Sequence, residues 1–486
     1  MLTDLGHIGP TEPAAEDVGG IPVERGAPPL LHSTPSGPPP IDDGETELLQ
    51  ELTHATQCDR CNRKGSESTE IARYRRAMTA VASTSTSGRT RSMSQRELLT
   101  FASMAMALMA LGIDTMLPAF DEMRATFGLD EAAPEIGNTI TSYLFGTAVA
   151  QLVWGPLSDR FGRRPVLYAG LGVYVLGAMA SALAPTLGTL FAARFVWGFG
   201  AGGPRVVVTA IVRDTTVGDA MAQAMSRVMA VFILVPIVAP AAGAGIVAFA
   251  PWQTIFWLCA VAGVLLGFWA TRLPETLDDA NRRSLEIREL AIAGRRVVRT
   301  AVTFRSTMAA VAIQGAMTLY LTTSERIVGE IYDREAWFPF VFGAIAVGLA
   351  LAAVINGRLV GRYGLSLALR GQAVASASVA TVLVAATVGF DLPDFYVFHV
   401  LLGLTIGSFM MLMPNLNAAG MVPMGDMAGT ASSVTSAARL GVGSLLATVA
   451  TGVMGTSLAG FTIAVAVFVA VTAAFSLATP RVPSVE

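Results

Sequence analysis

The sequence predicts an all-α membrane protein of about twelve transmembrane helices in two six-helix halves, and three observations carry that prediction. Of its 486 residues, 53% are hydrophobic and only 14% charged, well short of the roughly one quarter charged that soluble domains carry. From Leu98 onward, apolar runs of about twenty residues recur, each long enough at the helical rise to cross a hydrocarbon layer of about 30 Å. Backbone polar groups in that layer must be satisfied within the segment, so the runs are read as helices. Third, a charged stretch divides the runs six and six, the layout that two related halves around a central site would leave.

Taken in order, the tail over residues 1–95 is rich in Pro, Gly, Ser, Thr and charge, with no apolar period, and is read as disordered. It has no pattern of a cleaved signal peptide, and Met78 and Met93 each offer a later start. The first half, 96–271, holds runs at Leu98–Leu117, Gly137–Trp154, Pro165–Leu183, Leu190–Val212, Val228–Phe249 and Trp252–Ala270. A middle loop over 272–303, rich in arginine, is too polar to span. The second half, 304–478, holds Phe304–Thr323, Phe338–Asn356, Ser366–Phe390, Phe395–Leu412, Ala428–Met454 and Leu458–Leu477, and a short tail over 479–486 closes the chain.

Arginines fall on alternate loops: Arg160, Arg163 and Arg164, then Arg213, then Arg282, Arg283, Arg295 and Arg296, then Arg358 and Arg362. The opposite loops carry Asp121, Glu122, Asp130 and Glu131, or Asp391 and Asp394. The positive-inside tendency therefore puts both termini and the middle loop in the cytoplasm of a multi-pass protein of the cell (inner) membrane. The only lysine is Lys64, which excludes a GxxxxGK[ST] phosphate loop and a Schiff-base lysine from the spans. Energy must come from an ion gradient, the substrate gradient or a partner. No cofactor and no metal are expected: His54, Cys58 and Cys61 offer three ligands in a region without fold, and Cys259 is a small apolar residue in a run. Nucleic acid is not an expected partner. The partners are the bilayer, protons and a small molecule, and the chain is expected to be a monomer.

The stretch Gly155-Pro-Leu-Ser-Asp-Arg-Phe-Gly-Arg-Arg164 joins the second and third runs. Its glycines permit a tight turn between close helices, and Asp159, Arg160, Arg163 and Arg164 place charges at one membrane face. A weaker copy, Asn356-Gly-Arg-Leu-Val-Gly-Arg-Tyr-Gly364, joins the eighth and ninth, as an internal repeat would leave. The first stretch resembles the signature loop of the major facilitator superfamily, G-x-L-[SA]-D-R-x-G-R-[RK], matching it throughout, Gly155 and Gly162 included.

The resemblance covers about Leu98 to the C-terminus and narrows to the drug:proton antiporter branch, in particular the Bcr/CflA type of multidrug exporter. It is carried by Asp114-Thr-Met-Leu-Pro118, by Arg194 with the glycines after it, by Ile211-Val-Arg-Asp214 and by Val235-Pro-Ile-Val-Ala-Pro240 with Gly243. Further along it continues through Pro251-Trp-Gln-Thr-Ile-Phe256, Pro414-Asn-Leu-Asn417 and Ala428-Gly-Thr-Ala-Ser-Ser433. Two departures stand out. The helix-five signature G-P-x-x-G-G has Ala239 and Ala244 at two glycine positions, keeping Pro240 and Gly243 after Pro236, and the glutamine usual three residues after the helix-four arginine is Trp197. Small residues still allow close packing there.

Ionisable groups inside spans are costly and point to function. Asp114 is the proton-site candidate, about one turn inside the end of the first run; the resemblance implies proton coupling there, while a solvated interfacial aspartate is the plainer alternative. Arg194 and Arg205, eleven residues apart, project from nearly the same helix face, a face expected to line the cavity. The resemblance implies that Arg194 assists proton transfer, and an adjacent cation would keep Asp114 ionised; Arg205 is either a cavity residue or a structural cation bonded to carbonyls. The resemblance also implies a charge relay among Asp159, Arg163 and Asp214 that locks the outward-facing state, against solvated surface charges. Gln314, Asn415 and Asn417 either orient a ligand or hydrogen-bond between helices, and Glu325 and Glu330 are expected to be solvated.

The expectation is thus a secondary transporter, not an enzyme, that exports a mostly apolar, drug-like molecule against entering protons. A proton-coupled nutrient importer on the same fold is the nearest alternative. The spans contain no HExxH and no GxSxG, which argues against an intramembrane enzyme, and no folded output domain supports a sensor.

Overall fold

A computed structural model describes residues 93–479, apart from 131–132, 217, 278–281, 283–286, 391 and 456. The tail with His54, Cys58, Cys61 and Lys64, together with Glu131, Arg283 and Asp391, lies outside the described residues.

All regular structure among the described residues is helical. The first half holds α1 (Gln95–Asp114), the short α2 (Phe120–Thr126), α3 (Asn138–Phe161), α4 (Arg163–Ala182), α5 (Leu187–Thr215), α6 (Gly218–Val247) and α7 (Gln253–Trp269). The middle stretch contributes α8 (Ile287–Arg299), and the second half holds α9 (Ala301–Arg326), α10 (Phe338–Tyr363), α11 (Leu365–Gly389), α12 (Phe395–Met421), α13 (Ala428–Met454) and α14 (Leu458–Ala478). Among the described residues, ten stretches are long and apolar enough to cross a membrane, and α3 and α9 bring the long helices to twelve.

Those two fail an apolarity criterion for a physical reason. α9 carries Thr303, Ser306, Thr307, Gln314, Thr318, Thr323 and Ser324, and all of them are buried. It packs against α12, α13 and α14, so protein rather than lipid surrounds it. Polar groups are tolerated there because neighbours satisfy them: Thr303 donates to the Gly420 carbonyl at 2.8 Å. α3 is similarly enclosed, by α5 on one side and α13 on the other.

The halves meet along two helix pairs, α3 with α13 and α6 with α10. Polar contacts knit the first pair, Thr141 bonding Thr448 at 3.0 Å and Thr448 donating to Asn138 at 3.2 Å. α8 is an amphipathic helix that the polarity of the middle loop did not announce. Val297 on its apolar side packs with Met424 and Ala431 beside the start of α13, while arginines occupy its other side.

Candidate functional site

The site begins at a break in the first membrane span. Pro118 has no N–H to give the Asp114 carbonyl four residues back, and α1 ends at Asp114, followed by a tight turn at Leu117–Ala119 and then α2. The span as a whole runs Gln95–Thr126, so Asp114 sits further from its end than the single turn expected. Its side chain is buried, and it belongs to no ion pair and no side-chain hydrogen bond among the described residues. Tyr143 of the first half and Tyr320 of the second lie within its electrostatic reach.

The last turn of α1 is held by its carbonyls. Tyr174 donates to Leu108 at 3.2 Å, Tyr143 to Met109 at 3.1 Å, and Arg194 to Gly112 at 2.8 Å. Carbonyls near a helix C-terminus lack intrahelical donors and favour a cation, so Arg194 serves the helix end rather than the carboxylate. This differs from the expected pairing. Arg194 is fully buried; its second carbonyl is Thr139 at 3.3 Å, and its guanidinium stands 4.6 Å from the Tyr143 ring centre and 4.7 Å from that of Trp197. Trp197, where the superfamily usually has glutamine, is thus a wall of an aromatic cage. The shared helix face with Arg205 does not translate into a shared cavity, because aromatic residues close over Arg194 and not over Arg205.

The helix-five residues meet this break directly. A Cβ on Gly243 would fall 2.0 Å from the Thr115 carbonyl oxygen, so the α6 backbone lies against the residue after Asp114 and only glycine fits. Pro240, a turn earlier, is buried and Pro236 half-buried.

Toward the space between the halves, Arg205 is half-buried and gives only a long contact, 3.4 Å, to the Met109 sulfur. Arg439 of α13 donates to Gln314 at 2.9 Å, and Gln314 donates to Thr318 at 3.3 Å. Arg439 is a residue that sequence reasoning passes over, although an arginine inside the eleventh apolar run is the same signal that singles out Arg205. Asn415 is buried in a closed amide network with Asn356 and Gln372, bonds of 2.8–2.9 Å tying α10, α11 and α12 together. Its polarity is spent between helices, while Asn417 is exposed on α12.

At the loop end, Arg163 is buried and donates to Asp214 at 2.8 Å, to Ser158 at 2.7 Å and to Asp159. The three residues of the expected relay are thus in contact. Arg160 and Arg164 instead lie beside the rings of Phe161 and Tyr168. Gly162 turns the chain with φ +101°, and a Cβ placed on Gly155 would reach Ser433 of the second half at 4.0 Å, an ordinary contact distance.

Nothing in its spacing marks Glu275, which completes this corner. It accepts from the backbone N–H of Arg163 at 2.8 Å and Arg164 at 3.0 Å, capping α4 from the far end of the half. Burial presses its carboxyl upward, but four backbone donors outweigh that and hold it below the ordinary glutamate range.

The opposite end corrects a further expectation. Glu325 is not solvated: it is 4% exposed and pairs with the buried Arg124 of α2 at 3.1 Å. A π-helical turn at Ile327–Ile331 folds Glu330 back to within 3.5 Å of the same arginine, and Asp121 pairs with it from α2. Acidic residues near a helix end read as solvated only until an arginine from the other half covers them.

A groove of about 1120 Å³ lies over α10, α11 and α12, lined by residues such as Leu351, Ile355, Val400 and Leu404. All four are outward-facing apolar residues, Ile355 47% and Val400 61% exposed, a surface that hydrocarbon chains wet in a bilayer. It is remote from Asp114.

A profile of the Major Facilitator Superfamily matches residues 102–448. The chain belongs to the major facilitator superfamily. A bicyclomycin resistance protein homolog of Haemophilus influenzae is 30% identical over 339 residues, 69% of this chain and 84% of that protein. Multidrug resistance protein MdtL of Escherichia coli is 35% identical over 153 residues, 32% of this chain and 39% of that one. Among solved structures, the inward-open xylose transporter XylE of E. coli aligns over 80% of this chain and 97% of its own with a TM-score of 0.63 at 14% identity, a likeness of fold. The protein is therefore a membrane-spanning transporter and not an enzyme, and the superfamily's two-half plan accounts for the helix pairs at the interface.

Proposed function

We propose that this transporter exports a small, mostly apolar, drug-like molecule in exchange for protons entering the cell. The observation that carries the reading is Asp114. It is a buried carboxyl with no counter-ion among the described residues, at a helix break whose next residue, Thr115, lies against the backbone of Gly243. Charge at such a place is expensive, and taking up a proton removes that cost. The relatives named for bicyclomycin and multidrug resistance support the direction and the substrate class.

In this reading the halves, 96–271 and 304–478, rock about a midplane cavity. Protonation of Asp114 and occupation of the cavity exclude one another, so one gradient drives the other. Arg194 holds the Asp114 turn by its Gly112 carbonyl. Asp159, Arg163 and Asp214 brace the loop end in the outward-facing state, while the Arg124–Glu325 pair between the halves must part for the outer end to open. The arginine-rich loops support an inner-membrane protein with both termini and the middle loop cytoplasmic, working as a monomer without nucleic acid.

The test is a compound panel in everted vesicles carrying the overexpressed protein. The expected result is uptake of at least one panel compound driven by an acidic lumen and abolished by a protonophore. No gradient-dependent flux of any compound, or flux only in the opposite direction, overturns the reading, the latter in favour of an importer.

A further inference from the structure

Two half-buried arginines, one from each half, are paired with no carboxylate among the described residues. Arg205 comes from α5 in the first half and Arg439 from α13 in the second, both half-buried and close enough for the charge of one to act on the other. The ion pairs among the described residues join Arg124, Arg163, Arg272 and Arg326 to acids; neither of these two takes part. A cation inside a span is costly when left without a partner. Arg194 shows how this chain makes a structural arginine: two of its nitrogens, Nη1 and Nε, donate to the Gly112 and Thr139 carbonyls, and its faces lie on aromatic rings. Arg205 has no such carbonyl, only the Met109 sulfur. Arg439 is aimed by a built chain, Thr318 to Gln314 to its Nη1, and Gln314 is itself pressed against Gly443 of α13, where a Cβ would meet it at 2.7 Å.

We infer that Arg205 and Arg439 form an anion seat between the halves, and that the exported molecule presents a carboxylate to it. A carboxylate matches guanidinium donors in a two-point, charge-assisted bond, and one group shared by both arginines relieves the repulsion between them. Since the arginines belong to different halves, the bound anion also draws the halves together around the cargo. Neither arginine is ion-paired with Asp114 among the described residues, so exclusion between proton and substrate passes through movement of the halves rather than through a direct pairing of the two sites. Gln314 is a positioning residue for Arg439. The inference rests on the exporter reading for its direction, and it narrows the substrate from apolar to apolar with an acid group.

The test uses full-length protein in lipid nanodiscs and equilibrium binding of aromatic carboxylates, each paired with its uncharged methyl ester, with tetraphenylphosphonium as a cationic probe. At least one acid should bind about tenfold or more tightly than its ester, and the cation more weakly than the acid. Arg205→Gln and Arg439→Gln should each bring that acid down to the level of its ester while ester binding stays within about twofold; the lysine variants of both should keep most of the preference. Equal binding of acid and ester in every pair, or a preference that survives both glutamine variants, overturns the seat. So does joint loss of acid and ester binding in glutamine and lysine variants alike, which marks the arginines as structural. Gradient-driven transport in everted vesicles separates this from the wider reading: transport of tetraphenylphosphonium with no acid preference sinks the seat alone, whereas acid-selective binding without gradient-driven flux sinks the exporter alone.

Discussion

The two halves turn the same corner in the same way and then use it differently. Between α3 and α4 the chain reverses at Gly162, φ +101°, whose N–H closes onto the Ser158 carbonyl; between α10 and α11 it reverses at Gly364, φ +76°, whose N–H closes onto Val360. The first corner is fastened by charge: Arg163 is buried among Asp159 and Asp214, and Glu275 caps the next helix. At the second, the position after the glycine is Leu365, and Arg358 and Arg362 form no ion pair among the described residues. A glycine in the left-handed region suffices to make the turn. The charges of the first corner are therefore not what turns the loop, and the buried Arg163 held between two carboxylates is what distinguishes it from the second.

The largest contrast should come from removing the central cation. Arg163→Gln leaves two partly exposed carboxylates near each other and should cost about 2 kcal/mol and lower gradient-driven export at least about tenfold. Arg358→Gln and Arg362→Gln should stay within about 0.5 kcal/mol of the parent, with export unchanged. Thermal unfolding in detergent and vesicle transport measure both, and equal losses at the two corners would erase the distinction.

A finer break comes from the glycines. Either alanine substitution forces a side chain into left-handed backbone at about 1–2 kcal/mol. At Gly162 the new Cβ would also meet a Glu275 oxygen at 2.8 Å, whereas at Gly364 nothing lies within 4 Å. Gly162→Ala should therefore lower the melting temperature further than Gly364→Ala, and the order would reverse if the cap by Glu275 were idle. The smallest effect is that of Glu275→Gln, a shift of about 1–2 °C. Since the folded carboxyl sits below its ordinary value of 4.5, its contribution is full at neutral pH and is lost as pH falls through and below that value. Melting curves of parent and variant should converge in acid and separate at neutral pH.

Much of the fold was legible because apolar length is a strong constraint in a bilayer. The runs that were easiest to read are those facing lipid, such as α7 and α14; α3 and α9, which line the interface between halves, are the ones whose polarity hides them. The loop signature picked out Asp159 and Arg163, the family resemblance added Asp214 from the next helix, and the structure brings the three into contact. Pairings across the halves were not legible. Glu325 meets an arginine some two hundred positions away, Asn415 closes a network with residues of two other helices, and Arg194 turns to a carbonyl beside Asp114 rather than to its carboxylate. Periodicity places a side chain on a face; it does not say which neighbour covers that face.

If Asp114 gives up a proton when substrate is taken, adding a compound from the export panel to purified protein near pH 7 in weakly buffered solution should release close to one proton per bound molecule from the parent and none from Asp114→Asn, with binding of the compound retained. Undiminished release from the Asp114→Asn protein would contradict that role for Asp114.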